Sequence, residues 1–177
     1  MKQALEQSMQ AIEAAAVAGQ HSPAPASNPQ LHSAALAGLG SKYLALGTPA
    51  SLGIIGDSAA APALLAVHQL LFGPLEIRYA DRLSIEEALA SDIVCLPTSI
   101  EFDVQWIADA THLNLIDSGH WSAGAEDLLR SAQITTVGGP QRPIPNHHGS
   151  LADVITGKVS GRMGEELTGL LWSPPRS

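Results

Sequence analysis

The sequence predicts an α/β fold: a parallel sheet of about five strands with helices on both faces, plus further helices at both ends of the chain. Three observations lead there. From Ser51 onward, short apolar segments rich in Ile, Val and Leu alternate with stretches of helical spacing, and that alternation requires right-handed crossovers between parallel strands. At 177 residues with 45% hydrophobic and 15% charged positions, the chain can bury one core of ordinary size and little more. Aromatic residues make up only 4% while Ala, Leu and Gly are plentiful, which suits helices closely apposed to a sheet.

The elements follow in order. Leu5, Met9, Ile12 and Ala16 stand at helical spacing within residues 3 to 19, and Gly19 is a stop signal. The segment His21 to Pro29 carries three prolines, which neither continue a helix nor join a central strand. A second helix is expected over Leu31 to Leu46, where Gly38 and Gly40 let another backbone come close, and Gly47-Thr-Pro49 ends it. Strands are expected at 51–55, 75–80, 92–96, 112–116 and 133–137, with helices at about 59–72, 84–90, 104–110 and 124–130 between them. Gly138 to Asn146 is a proline-rich loop, and 150–156 and 164–171 read as two terminal helices. The expected division is a helix and linker over 1–30, then a Rossmann-like dinucleotide-binding domain over 31–177.

A net charge of −8 and scarce aromatics argue against DNA, RNA or an anionic membrane surface as partner. No segment reaches the roughly 18 apolar residues of a membrane span, and the start Met1-Lys-Gln-Ala-Leu-Glu has no apolar leader core, so a cytoplasmic protein is expected. Cys95 is the only cysteine, so no internal disulfide forms; within Ile93-Val-Cys-Leu96 it reads as a small buried thiol.

The most informative stretch is Ser51-Leu-Gly-Ile-Ile-Gly-Asp-Ser-Ala-Ala-Ala61. It reads as a strand, a tight turn and a helix start, the point where a Rossmann-type fold receives a pyrophosphate on backbone N–H groups. Gly56, Ser58 and Ala61 fill the three slots of Gly-x-Gly-x-x-Gly/Ala, so the middle glycine is missing. The turn reads either as a pyrophosphate cradle or as a helix start capped by Asp57 or Ser58. Asp81 closes the second strand, where an acidic side chain accepts hydrogen bonds from adenosine ribose hydroxyls and repels a 2′-phosphate, favouring NAD over NADP; otherwise it is a loop aspartate beside Arg82. The expected cofactor-binding set is Gly56, Asp57, Ser58, Ala59, Ala61, Asp81, Arg82 and Thr98.

Several segments resemble the ornithine cyclodeaminase and mu-crystallin family. They are Leu31-His-Ser-Ala-Ala-Leu-Ala-Gly-Leu-Gly-Ser-Lys-Tyr-Leu44, Leu52-Gly-Ile-Ile-Gly56, Glu76-Ile-Arg-Tyr-Ala-Asp81, Ser91-Asp-Ile-Val94, His112-Leu-Asn-Leu-Ile116 and Leu151-Ala-Asp-Val-Ile-Thr-Gly-Lys-Val-Ser-Gly-Arg162. Ala4 to Pro25 is similar to that family's opening helix. The resemblance implies an NAD-binding oxidoreductase acting on an imine or amino-acid-like substrate. It also implies a short form, in which the Pro/Ser/Asn linker stands where the family carries a β-rich substrate and dimerisation domain. The family's carboxylate-binding arginine aligns with His32, and its catalytic aspartate falls near Gly119 in Asp117-Ser-Gly-His120.

Asp117 and His120 lie just beyond the fourth strand, at the carboxyl edge where ligands of such sheets collect. His120 is the better proton-transfer candidate because an imidazole ordinarily titrates near neutral pH, whereas Asp117 would need desolvation to act as an acid. The bland reading of His120 is a polar loop histidine capping the following helix. His147 and His148 read as solvated loop residues, since adjacent side chains diverge and no third ligand stands at metal spacing. A non-catalytic binding or partner subunit is the other function class open at this point. Both readings imply a small-molecule or dinucleotide ligand and association into a homo-oligomer or with a partner, through helices 3 to 19 and 31 to 46.

Overall fold

The first helix, α1 (Lys2–Val17), turns Leu5, Met9, Ile12 and Ala16 inward, the positions that its sequence periodicity selects. The computed structural model describes residues 1–20, 28–56, 59–80 and 84–174. Helix α2 (Pro29–Leu44) starts where the Asn28 side chain accepts from the amides of Gln30 at 3.1 Å and Leu31 at 3.2 Å, with Pro29 supplying a preset helical φ. From His32 through Ser41 every residue of α2 is buried. It lies between the sheet on one side and α1 on the other, so its apolar residues face all directions.

Strand β1 (Ser51–Ile55) leads to α3 (Ala61–Phe72), β2 (Glu76–Ala80), α4 (Ile85–Leu89) and β3 (Ile93–Pro97). A single 3-10 turn at Val104–Trp106 precedes β4 (His112–Ile116), α5 (Ala123–Ser131) and β5 (Gln133–Thr136). The chain continues through β6 (His147–Ser150), α6 (Leu151–Ile155) and β7 (Thr168–Trp172). All strand pairs are parallel, and the order is β2-β1-β3-β4-β7-β5-β6. One hydrophobic core joins α1, α2, α3 and α6 to one face; a second joins α4 and α5 to the other.

The α/β class, the parallel sheet and the helices on both faces are as expected, but the sheet has seven strands rather than about five. The expected terminal helix at 164–171 is instead β7, inserted between β4 and β5. All five of its residues are buried, so the run Thr-Gly-Leu-Leu-Trp shows no period-2 alternation and, as a short apolar run, could not be told from a buried helix. His147 and His148 begin β6, an edge strand, rather than lying in a loop, and only one 3-10 turn stands where a helix was expected at 104–110. Gly38 and Gly40 do admit close neighbours, but within the chain. A Cβ at Gly38 would lie 2.5 Å from Val67, and one at Gly40 would lie 2.6 Å from Leu170. Leu5, Met9, Ile12 and Ala16 of α1 and nearly all of α2 are therefore engaged within the chain, while Ala11, Ala14 and Val17 of α1 are exposed.

Beneath α2 runs a chain of buried polar side chains. His112 and Asn114, two residues apart on β4, face the same way, and the chain links His68, Ser41, Asn114, His112 and Thr168. The Leu64 carbonyl only accepts, so His68 donates to it from Nδ1 at 2.7 Å and takes the Ser41 hydroxyl proton at Nε2 at 2.8 Å. Ser41 Oγ then accepts from Asn114 Nδ2 at 2.9 Å, and Asn114 Oδ1 accepts from His112 Nε2 at 3.2 Å. His112 Nδ1 is left as an acceptor for the Thr168 hydroxyl at 2.9 Å, so that proton is not also donated to the Leu44 carbonyl 3.2 Å away. Nitrogen-15 NMR is expected to find opposite neutral tautomers, Nδ1–H at His68 and Nε2–H at His112; a shared tautomer would contradict this bonding direction. Cys95 is buried as expected, receives Asn114 Nδ2 at 3.6 Å, and its thiol is pushed up to about 12 by burial.

At the amino edge Arg162 ties three segments together. It donates to the carbonyls of Leu44 at 3.0 Å, Ala110 at 2.7 Å, Gly164 at 3.2 Å and Glu166 at 2.6 Å. The closing segment Gly157 to Arg162 thus holds the end of α2 against the starts of β4 and β7, at the edge opposite the strand carboxyl ends.

Candidate functional site

In a parallel sheet every strand's carboxyl end opens on one edge, and ligands collect where the order reverses. Here the chain leaves β1 for β2 on one side and later for β3 on the other, so the reversal lies at the ends of β1 and β3. Gly56 follows β1 with φ +93, a left-handed conformation that other residues adopt at a cost, and its N–H donates to the Ala80 carbonyl at 3.1 Å. A Cβ there would also come within 3.3 Å of the Pro97 ring at the end of β3. Gly56 and Ala61 are half-buried and Ala59 is exposed, so the turn opens to solvent. Pro62, the second residue of α3, has no N–H, and the first turn therefore offers one backbone donor fewer to an anion. The missing donor at Pro62 is legible in the sequence. Asp57, Ser58, Asp81 and Arg82 lie outside the described residues.

Thr98, the first residue after β3, is fully buried. Its N–H donates to Ile116 at 2.9 Å and its carbonyl accepts from Ser122 at 2.9 Å. The Thr98 hydroxyl donates to the His120 carbonyl at 2.8 Å and accepts from the Ser118 amide at 3.2 Å. Every polar group of Thr98 is thus bonded to the end of β4 or to the segment after it. Asp117 closes the same turn: Oδ1 accepts from Gly119 N–H at 2.9 Å, and Oδ2 accepts from the Ser173 hydroxyl at 3.2 Å. His120 sits exposed on this braced loop. The helix after it is capped by Ser122, whose hydroxyl accepts from the Ala125 amide at 3.0 Å, so His120 is not the cap.

Next to His120, Trp121 carries the Arg142 guanidinium 4.3 Å above its ring, and Arg142 Nη2 donates to both Glu126 oxygens at 2.7 and 2.9 Å. This trio fastens the proline-rich loop after β5 to the loop after β4. The two loops and the end of β7 line a small cleft with Asp117, Val137, Arg142, Trp172 and Ser173. His32 lies in α2, 7% exposed, and burial holds its imidazole below the ordinary histidine range. It therefore stands neutral at pH 7, without the fixed charge with which an arginine binds a carboxylate. A cleft of about 400 Å³ opens beside the starts of β5 and β6, lined in part by Gln133, Asn146, His147, His148 and Glu166. His147 and His148 take separate partners there, Thr136 Oγ1 at 3.0 Å and the Ser160 carbonyl at 2.6 Å.

No family model matches the sequence, and no curated protein matches it. Solved structures do match. An archaeal alanine dehydrogenase dimer with bound NAD superposes with a TM-score of 0.67 at 20% identity, covering 82% of this chain and 58% of that one. The Δ1-pyrroline-2-carboxylate reductase of Thermococcus litoralis, in complex with NADH and L-proline, gives a TM-score of 0.65 at 19% identity, covering 82% and 59%. The chain has their fold. A probable ornithine cyclodeaminase from Bordetella pertussis Tohama I shares it as well, with a TM-score of 0.67 at 18% identity, covering 82% and 60%. The shared cyclodeaminase-like fold thus takes in most of this chain, while the chain spans only three fifths or less of these relatives.

Proposed function

We propose that the chain binds NAD across the ends of β1 and β3 and serves an ornithine cyclodeaminase-like oxidoreduction of an imine or amino-acid-like substrate. The observation that carries this reading is the open glycine turn at the point where the strand order reverses, in a fold shared with proteins solved with NAD or NADH. A Cβ at Gly56 would press on Pro97, and Asp57, Ser58, Ala59 and Ala61, which follow it in sequence, complete the set expected to hold the pyrophosphate. Asp81 and Arg82 follow β2, where the adenosine ribose belongs in such folds. When bound, the nicotinamide exchanges a hydride with the substrate carbon. The exposed His120 imidazole is our candidate for moving the accompanying proton, while Asp117, both of whose carboxylate oxygens accept hydrogen bonds, shapes the turn beneath it.

Titration with NADH, NAD+ and NADP+ tests the reading. Binding of NADH and NAD+ is expected, with NADP+ weaker by tenfold or more because Asp81 repels a 2′-phosphate; no binding of any form at millimolar concentration would remove the proposal. Asp57→Asn probes the turn separately. A carboxylate about 4 Å from a phosphate, at an effective dielectric near 20, repels it by roughly 4 kcal/mol, so affinity should rise by up to about three decades if Asp57 faces the pyrophosphate. Unchanged affinity would place its side chain outward.

We also propose that a second copy supplies the wall over the carboxyl edge that the longer relatives' additional chain would furnish. The inward residues of α1 and nearly all of α2 are buried within the chain, while Ala11, Ala14 and Val17 of α1 remain exposed to a partner. A single monomeric species in light scattering would exclude this arrangement.

A further inference from the structure

We propose that the cleft of about 400 Å³ beside the starts of β5 and β6 binds a small organic cation, one that carries an ammonium or guanidinium group. It opens at the amino edge of the sheet, away from the glycine turn after β1, so it is independent of the dinucleotide reading. What its lining side chains have already bonded, and what they retain, sets the chemistry. The Thr136 hydroxyl gives its proton to the Gly138 carbonyl at 2.8 Å, so His147 Nε2, 3.0 Å from that oxygen, is the donor between the two. His148 Nε2 lies 2.6 Å from the Ser160 carbonyl, which only accepts, and it too is the donor. Both neutral rings therefore keep their lone pair on Nδ1, and neither Nδ1 has a partner among the described residues.

The two amides are fixed in the same sense. Gln133 Nε2 donates to the Gly161 carbonyl at 3.2 Å and Asn146 Nδ2 to the Arg130 carbonyl at 2.9 Å, which leaves each side-chain oxygen to accept. Glu166 adds a negative charge, and its carboxylate accepts no hydrogen bond among the described residues. Arg162 feels that charge, but its guanidinium is committed to the carbonyls of Leu44, Ala110, Gly164 and Glu166 itself. Helix α5 also ends at the cleft, and the carbonyl end of a helix favours positive charge. The basic residue of its last turn, Arg130, is already paired with Asp127. Unused lone pairs, an unbonded carboxylate and the negative end of a helix together call for a ligand that is both cationic and an N–H donor. Among the described residues no three of His, Cys, Asp and Glu are grouped to hold a metal ion, and the exposed Met163 side chain gives the cleft an apolar surface for methylenes. An alkyl amine or alkyl guanidine fits that lining better than a bare ion.

A chain of net charge −8 draws any cation weakly to its surface, so the test must separate a site from that general attraction. Agmatine, which carries both cationic groups, is titrated into the full chain while the imidazole nitrogens are followed by nitrogen-15 NMR. Saturable binding that moves Nδ1 of His147 and His148 is expected. Glu166→Gln, at an exposed position, should weaken it about tenfold, the worth of one hydrogen bond to a charged group. Glu165→Gln removes the same charge one residue away, outside the cleft lining, and should leave the affinity unchanged. Equal losses in the two variants, or shifts that never saturate, overturn the proposal. So does uncharged 1-butanol binding as tightly as agmatine, or zinc displacing agmatine from the same two nitrogens. Agmatine binding without NADH binding leaves this site standing and removes only the dinucleotide reading.

Discussion

Lowering the pH from 7 to 4 is expected to remove several kcal/mol of folding free energy through two buried histidines beneath α2. His68 and His112 are fully buried and take part in the chain beneath α2 as neutral acceptors and donors. Burial lowers His68 to about 4 and His112 to about 3. For His112, the neighbouring His68 and Arg162 add to the lowering, and the bond to Asn114 opposes it. Above the ordinary value near 6.5 both rings are neutral in the folded and the unfolded chain, so they give no pH dependence there. Below it, the unfolded chain binds two protons that the folded chain refuses, and stability falls as pH falls, by about 1.4 kcal/mol per unit for each ring. The loss levels off for His68 below about pH 4 and for His112 below about pH 3. Since a whole domain is stable by roughly 5–15 kcal/mol, acid unfolding should fall within or just below this window. Urea unfolding at half-unit steps from pH 7 to 4 measures the slope, and His112→Gln should about halve it. A flat profile would mean that the rings take up protons without opening the core.

Gly53→Ala is expected to destabilise the chain by about 3 kcal/mol or more, since overpacking a full core costs roughly 1–3 kcal/mol and here the obstacle is backbone. Gly53 is the middle residue of β1, and α4 lies directly on it. A Cβ there would stand 2.2 Å from the Ala88 carbonyl oxygen and 3.0 Å from its carbon. No side-chain rotation relieves that overlap, so α4 must lift from the sheet. Gly139→Ala provides the matched control, because nothing lies within 4 Å of that position. Thermal unfolding of the two variants should separate them by many degrees; equal midpoints would show that α4 docks loosely.

Much of the half around β1 was readable from residue order alone. The pattern Leu52-Gly-Ile-Ile-Gly56 specifies a buried strand ending in a glycine turn, and the structure places that turn at the reversal of strand order. The boundaries of α1, β1, β4 and α5 fall within a few residues of where periodicity, glycine stops and caps put them. Less was visible around β7. Its five residues are buried on both faces, and a short uniformly apolar run carries no period by which strand and helix differ. Proline signals also point away from the edge strand β6, where Asn146 and His147 leave a proline-rich loop to pair with β5.

Among the candidate site residues, the sequence marked Thr98, Asp117 and His120 as neighbours of a ligand edge, and the structure gathers all three into one loop assembly. Which of them faces outward was not legible, because one buried hydroxyl bridging Ser118 and His120 depends on how the ends of β3 and β4 lie side by side. The spacing His112-x-Asn114 indicated a shared strand face, but not that Ser41 and His68 from two different helices would complete a polar chain there.

Residue order by itself determined the alternation of strands and helices, the all-parallel pairing that follows from it, and the glycine turn after β1, because each is set by local backbone preference and by periodic burial. Tertiary structure alone decided that β7 enters between β4 and β5, that α1 covers α2, and that the Thr98 hydroxyl reaches the His120 carbonyl. Those outcomes depend on contacts between residues tens to more than a hundred positions apart, such as Thr168 and Arg162 meeting the Leu44 carbonyl, and short-range spacing carries no record of such meetings.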